Sequence, residues 1–197
     1  MRDCMSKSIE NKPSIGSIKL RGRSIDLRKK TLIMGILNAT PDSFSDGGLF
    51  NQVDRAVRRA VELAEEGADI IDIGGESTRP GSERVPVEVE IERVIPIVKN
   101  VRKAVDVPIS IDTYKAEVAR QALSVGADMI NDIWGAKKDP EMAAVAAEFQ
   151  VPIVLMHNRT NQDYKELIDD IIFDLQKSIE IAVSNGVKDE NIILDPG

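Results

Sequence analysis

Short apolar segments of strand length alternate with longer amphipathic segments along most of the chain, and this alternation limits the possible folds more than any other feature. The predicted strands are Leu32–Leu37, Asp69–Ile73, Ile109–Asp112, Met129–Ile133, Ile153–Met156 and Asn191–Asp195. These segments are apolar throughout rather than at every second position, which is typical of strands buried on both faces of a parallel sheet. We therefore predict an α/β protein.

The segments between the strands have helical periodicity. One apolar stripe consists of Val53, Val57, Ala60, Val61 and Ala64, and a longer one consists of Leu167, Ile168, Ile171, Ile172, Leu175 and Ile179. Before the first strand, Ile18–Leu20 and Ser24–Leu27 flank Arg21-Gly22-Arg23, which predicts a short β-hairpin. Gly-Ala-Asp precedes two of the strands, at 67–69 and 126–128, as expected of neighbouring units in a regular β/α array.

A β/α alternation leaves two main architectures, an open doubly wound sheet and a closed eight-stranded barrel. The first strand is not followed by Gly-x-Gly-x-x-Gly, and polar residues end nearly every strand, so the barrel is favoured. The predicted fold class is α/β, a TIM (β/α)8-type barrel with about six of its eight units in this chain. We expect residues 1–14 to be a flexible N-terminal tail and residues 15–197 to be the barrel domain, incomplete at its C-terminus.

Composition narrows the expected location and partners. The formal net charge of −7 disfavours nucleic acid, whose phosphates require a basic surface. Cys4 is the single cysteine, which points to a reducing compartment without disulfides. No apolar segment reaches the roughly 18 residues of a membrane span, and the N-terminus lacks the apolar core of a signal peptide. The expected location is the cytoplasm.

Side chains at the carboxyl ends of the predicted strands form the candidate site. They include Asn38, Asp72, Asp112, Asn131 and Asp195, and in a barrel these positions converge on one face. A carboxylate in an apolar strand is costly to bury unless it is paired or used. Carboxylates accept paired hydrogen bonds from an N–H/NH₂ edge, and an Asn amide supplies mixed donors and acceptors. A pterin, a guanine or a cationic substrate would satisfy this chemistry.

Two long segments after the first and second strands carry the most specific patterns. The sequence LNATPDSFSDGG at positions 37–48 resembles the first signature of dihydropteroate synthases, and DIGGESTRPG at 72–81 resembles the second. Later blocks of that family are matched in order by Ser110–Thr113, Asn131–Ile133, Leu155–His157 and Ile193–Gly197. The resemblance extends from about Ile18 to the last residue.

This resemblance implies condensation of 6-hydroxymethyl-7,8-dihydropterin diphosphate with p-aminobenzoate, giving 7,8-dihydropteroate and pyrophosphate in folate biosynthesis. It places the pterin on Asp112, Asn131 and Asp195, with Met156 lining the slot. It places Mg²⁺ on Asn38 and the diphosphate on Asn38 and Arg79. The implied catalytic residues are Asp112, Asp195, Arg79 and Asp46, and the loops over p-aminobenzoate carry Phe44, Ser45, Thr78 and Pro80.

The family's barrel has eight strands, whereas the predicted strands of this chain end with the sixth. The remaining units would carry a Ser-Arg-Lys-type block and an Arg-x-His block. We hypothesise that the chain is a fragment or needs a partner chain to close the barrel. The resemblance also implies a sulfonamide target and a homodimer at full length.

Two other functions stay open, namely a non-catalytic pterin-binding fragment and a pterin-dependent methyltransferase of the same fold. The segment Glu76–Gly81 argues against the methyltransferase. Asp72 could bind backbone amides or face the ligand. Asp132 and His157 are expected to be structural, because Asp132 follows Asn131 and should point to the opposite face of its strand.

Overall fold

The computed structural model of this protein describes residues 16–39, 48–77 and 84–197. The predicted hairpin is present as β1 (Ser17–Leu20) and β2 (Arg23–Asp26), which pair antiparallel. The tail predicted at residues 1–14 lies outside the described residues.

A six-stranded parallel sheet forms the centre of the fold. Its strands are β3 (Met34–Asn38), β4 (Ile70–Gly74), β5 (Ile109–Asp112), β6 (Met129–Asp132), β7 (Ile153–Met156) and β8 (Ile192–Asp195). Each strand pairs with the next one along the chain, from β3 to β8. A doubly wound sheet reverses its strand order at a switch point, whereas a barrel keeps the chain order. The arrangement is therefore that of consecutive barrel units, as predicted.

The helices are α1 (Gly48–Glu65), α2 (Val87–Ala104), α3 (Ala116–Ser124), α4 (Met142–Phe149) and α5 (Leu167–Ser184), with a short 3₁₀ helix (Asp189–Asn191) before β8. They cover the outer face of the sheet. Leu37, Ile71, Ile73 and Ile111 point outward into this helix–sheet core and are at most 2% exposed. No helix within the described ranges combines the length and apolar character of a membrane span.

The inner face of the sheet has its own apolar cluster at the amino ends of the strands. Ile18 and Leu20 of the hairpin pack there against Ile70, Met129 and Val154. The hairpin therefore covers the bottom of the barrel interior, and the carboxyl ends of the strands lie at the opposite end.

The repeated Gly-Ala-Asp triplets have equivalent structural roles. Asp69 Oδ2 accepts the amide of Ile33 at 3.0 Å, and Asp128 Oδ2 accepts the amide of Ile109 at 2.8 Å. Each carboxylate thus stabilises the start of the preceding strand by accepting a backbone hydrogen bond there. Gly126 has φ +120°, and a Cβ there would lie 2.7 Å from Cγ of Arg102. This close approach explains why a glycine occupies the position.

The long apolar stripe predicted on α5 is only partly buried in the described structure. Leu167, Ile168 and Ile172 are between 48% and 65% exposed, whereas Ser178 and Ala182 are fully buried. Small residues form the surface that α5 presents to the sheet, because they let the helix approach closely. The larger side chains lie outside that surface, on the last helix of the described layer, whose helix neighbour is α4.

Candidate active site

Four strands bring a row of positions together at their carboxyl ends. Asn38 pairs with Gly74, Gly74 with Asp112, and Asp112 with Asn131. Paired residues of a parallel sheet point to the same face, and these positions share the inner face with the apolar cluster below them. Met156 pairs with Asp195 on the last two strands of the same face. The structure thus places all five described site residues of the sequence prediction at one end of one face.

Gly74 makes room for this row. A Cβ at this position would lie 3.1 Å from Oδ2 of Asp112 and 3.4 Å from its Cβ. A side chain at position 74 would therefore require the Asp112 carboxylate to shift by a few tenths of an ångström. The glycine is therefore part of the geometry that keeps the carboxylate in position.

Asp72 lies one layer deeper, between Ile36 and Ser110 of the neighbouring strands. It is 5% exposed, and its Oδ2 accepts a hydrogen bond from Nδ2 of Asn131 at 3.0 Å. This contact orients the Asn131 amide, so that its oxygen is the atom available to a ligand. Asp72, whose role the sequence left open, therefore supports Asn131 from below.

Electrostatics at this end are dominated by carboxylates. Burial is the main cause that raises the pKa of Asp112 to about 8, and the charges of Asp72, Glu90, Asp132 and Glu76 contribute to the same shift. Burial also raises the pKa of Asp72, although the nearby Ser110 hydroxyl and the hydrogen bond from Asn131 oppose that shift. Within the described part of the chain, Oδ1 of Asp112 and Oδ1 of Asp72 are buried without a hydrogen-bond partner. Buried acceptors of this kind need donors, which a ligand with adjacent N–H groups would supply.

A cluster of buried charges beside the row was not predicted from the sequence. Lys115, just after β5, contacts the carboxylates of Glu76 and Glu90, and the hydroxyl of Tyr114 donates to Glu76 at 2.8 Å. Glu76 thus pairs with a cation from the next β/α unit. Glu90 is separated from Lys115 by 25 positions, so no local pattern in the sequence signals the contact.

Asp132 lies on the outer face of the sheet, as predicted, and His157 directly follows β7. Asp132 is fully buried, and it accepts the amides of Trp134 at 2.8 Å and Ala136 at 2.7 Å. Burial raises its pKa to about 6. His157 is 6% exposed, and its Nε2 lies 3.4 Å from Oδ2 of Asp174. Both residues stabilise turns and packing behind the site.

Several residues of the sequence prediction lie outside the described residues. They are Phe44, Ser45, Asp46, Thr78, Arg79 and Pro80. Their predicted roles in catalysis, in diphosphate binding and in covering p-aminobenzoate stay predictions.

Comparisons with known proteins agree with the geometry. Residues 34–197 match the family described as pterin binding enzyme. The dihydropteroate synthase of Clostridium beijerinckii is 59% identical over 180 residues, which span 91% of this chain and 67% of that protein. The Bacillus subtilis enzyme of the same name is 56% identical over 91% of this chain and 63% of its own length. The chain therefore spans about two thirds or less of the length of these relatives.

Solved structures show the same relationship. The dihydropteroate synthase of Clostridium difficile, crystallised in the presence of pteroic acid, has a TM-score of 0.83 and is 52% identical. The match covers 86% of this chain and 65% of that one. The Xanthomonas albilineans enzyme with 4-aminobenzoic acid has a TM-score of 0.85 at 42% identity, over 92% of this chain and 66% of that one.

Proposed function

Because the chain belongs to the dihydropteroate synthase branch of the pterin-binding enzyme family, we propose that it supplies the pterin-binding part of a dihydropteroate synthase. The reaction joins 6-hydroxymethyl-7,8-dihydropterin diphosphate to p-aminobenzoate and releases pyrophosphate. The observation that carries the proposal is the row of Asn38, Asp112 and Asn131 at the strand ends, with Asp195 on the same face.

Pterin recognition is proposed for Asp112, Asn131 and Asp195. The aminopyrimidinone edge of a pterin presents adjacent N–H and NH₂ donors, which match a carboxylate. The buried Oδ1 of Asp112 has no partner among the described residues and suits that role. Met156, paired with Asp195, would contact the flat ring from one side.

Diphosphate binding is proposed for Asn38 and Arg79, with Mg²⁺ held on the amide oxygen of Asn38. Asn38 is exposed at the end of β3, in the row with Asp112. The described residues include no cluster of three His, Cys, Asp or Glu side chains that could hold a metal. Mg²⁺ keeps several waters and takes other ligands from phosphates, so one amide oxygen can suffice as its protein ligand. When bound, the ion would neutralise charge on the departing pyrophosphate.

The chemical step is proposed to be substitution at the exocyclic carbon of the pterin. The C–O bond to the diphosphate breaks, its electron pair leaves with pyrophosphate, and the amine nitrogen of p-aminobenzoate forms the new C–N bond before losing a proton. Asp112 and Asp195 would stabilise positive charge on the pterin, and Arg79 would stabilise the leaving group. Asp46, Phe44, Ser45, Thr78 and Pro80 are proposed to surround p-aminobenzoate.

For the whole protein, we also propose a cytoplasmic homodimer without nucleic-acid or membrane partners. The net charge of −7 supports the absence of a nucleic-acid partner. Sedimentation of the complete protein would test the dimer.

The deciding experiment is pyrophosphate release by the purified chain, with dihydropterin diphosphate and Mg²⁺, in the presence and absence of p-aminobenzoate. Amine-dependent release supports the synthase. Pterin binding without release supports the non-catalytic pterin-binding fragment. A folded chain that binds neither the pterin nor its diphosphate contradicts both functions. Asp112→Asn serves as the matched control.

A further inference from the structure

Asp72 and Asn131 belong to strands that are not neighbours, because β5 lies between β4 and β6. Strands two apart in a sheet are separated by roughly 10 Å. The two side chains nevertheless meet on the inner face, where Nδ2 of Asn131 donates to Oδ2 of Asp72 at 3.0 Å. Ser110, the β5 residue in register with Asp72, is fully buried, and its small side chain leaves room for this contact. Three strands therefore build the contact.

The contact fixes the direction in which the Asn131 amide faces. An ionised carboxylate has only acceptors, so the amide has to turn its nitrogen towards Asp72. The opposite orientation would place the amide oxygen against a carboxylate that is only 5% exposed, where water cannot compensate for the lost hydrogen bond. Oxygen and nitrogen occupy opposite branches of the amide. Since Asp72 lies one layer deeper, Oδ1 of Asn131 faces the carboxyl ends of the strands.

This orientation completes a row of acceptors at the strand ends. Asp112 is in register with Asn131 and lies on the same face. Its Oδ1 is buried and has no hydrogen-bond partner among the described residues. A carboxylate and an amide oxygen therefore lie side by side, and the ligand edge that fits them offers adjacent N–H donors.

We propose that Asp72 is a positioning residue that makes the site select a ring with an amino group at this edge over a ring with a carbonyl oxygen there. The identity of the ring as a 2-aminopteridine rests on the proposed function. The orientation of the Asn131 amide rests only on its contact with Asp72. In the 2-oxo analogue of a pterin, a carbonyl oxygen replaces the amino group and would meet the oxygen of Asn131. Without Asp72 the amide is free to turn over and donate to that carbonyl.

Calorimetry with two ligands measures this selectivity. The ligands are 6-hydroxymethyl-7,8-dihydropterin and its 2-oxo analogue, and the unmodified chain should bind the first at least about 100-fold more tightly. In Asp72→Ala the ratio of the two affinities should fall at least about tenfold. A purely structural role of Asp72 would weaken both ligands alike and leave the ratio unchanged. An unchanged ratio in the folded variant overturns the proposal, as does an unmodified chain that binds both ligands equally.

The matched control is Asp132→Ala, which removes a buried carboxylate next to Asn131 on the opposite face of β6. It should lower stability without changing the ratio of the two affinities. Asp72→Ala leaves a gap between three strands and can fail to fold. Asp72→Leu is therefore the second variant, because its branched end has the shape of a carboxylate but no acceptor. Circular dichroism identifies the folded variants, and the ratio in either of them decides the result.

Hydrogen exchange tests the orientation of Asn131 without any ligand. The side-chain amide signals of Asn131 are those that disappear from the ¹⁵N–¹H spectrum in Asn131→Ala. The N–H that donates to Asp72 should exchange with water at least about tenfold more slowly in the unmodified chain than in the folded Asp72 variant. Equal rates overturn the positioning role. If the unmodified chain binds neither ligand, the proposed function and the selectivity fail together, and the exchange rates still decide whether Asp72 orients Asn131.

Discussion

The two ends of the inner sheet face differ sharply although the same strands build both. At the amino ends, Ile70, Met129 and Val154 pack under the hairpin residues Ile18 and Leu20. At the carboxyl ends, the inner-face positions are Asn38, Gly74, Asp112, Asn131 and Asp195. The apolar end stabilises the fold by burial, whereas the polar end contains buried acceptors that lack partners among the described residues. Stability and chemistry are therefore divided along the length of the strands.

The division also explains why the polar end tolerates its carboxylates. Asp112 and Asp72 lie close together on neighbouring strands, and burial raises the pKa of both. When the pH is above the usual pKa of a carboxyl group, a raised pKa in the native state lowers the stability of the ligand-free protein. Burial at the apolar end has to offset that cost. A bound ligand with N–H donors would relieve it.

The largest expected effect is at the polar end. Asp112→Asn places an NH₂ group where the pterin already presents donors, and it removes the negative charge. Pterin affinity should fall roughly 1,000-fold, about 4 kcal/mol. Calorimetry with 6-hydroxymethyl-7,8-dihydropterin measures this loss, and urea unfolding shows that the variant is folded. An affinity within about threefold of the unmodified chain would remove Asp112 from the pterin site.

The apolar end should show the opposite behaviour. Leu20 is 1% exposed in the cluster under the barrel, so Leu20→Ala leaves a cavity there. The free energy of unfolding should fall by about 3 kcal/mol. Pterin affinity, measured well below the melting temperature, should stay the same. A large loss of affinity in the folded variant would show that the two ends are coupled.

Adjacent residues on β6 sharpen the comparison at a finer scale. Asp132→Ala leaves the amides of Trp134 and Ala136 without their acceptor, which should lower the free energy of unfolding by about 2 kcal/mol. Asn131→Ala should instead lower pterin affinity by about tenfold and affect stability less. The pair is matched, since the residues are neighbours on opposite faces. Equal effects of both variants on pterin affinity would contradict the assignment of faces.

A further expected effect is a pH dependence of stability. In the native state the pKa of Asp112 is about 8, above its ordinary value of 3.8, so between these values the folded chain keeps a proton that the unfolded chain has lost. Stability should therefore fall as pH rises, by at most about 1.4 kcal/mol per pH unit from this group. Urea unfolding of the unmodified chain and Asp112→Asn at pH 5 and pH 7 isolates the contribution. Parallel pH curves for the two proteins would show that folding does not raise the pKa of Asp112.

The sequence predicted most of what depends on local pattern. Continuous apolar segments located the strands, and the structure moves their ends by one or two residues, as at β3, predicted from Leu32 and observed from Met34. The two-residue periodicity of a strand also predicted that Asn131 and Asp132 point to opposite faces, because successive side chains alternate between faces. The local signal thus sufficed for the backbone order and for which polar residues end the strands.

The partners of the buried charges could not be predicted in this way. Asp72 and Asn131 are 59 positions apart, and Glu76 and Lys115 are 39 apart. Whether such groups meet depends on the register between strands and on the packing of α2 beside α3, which no local periodicity encodes. The partial exposure of the α5 stripe likewise depends on the helices beside it. The sequence by itself determined the β/α order and the polar ends of the strands, whereas the tertiary structure decided which carboxylates are paired and which still need a partner, because pairing requires contacts between distant segments.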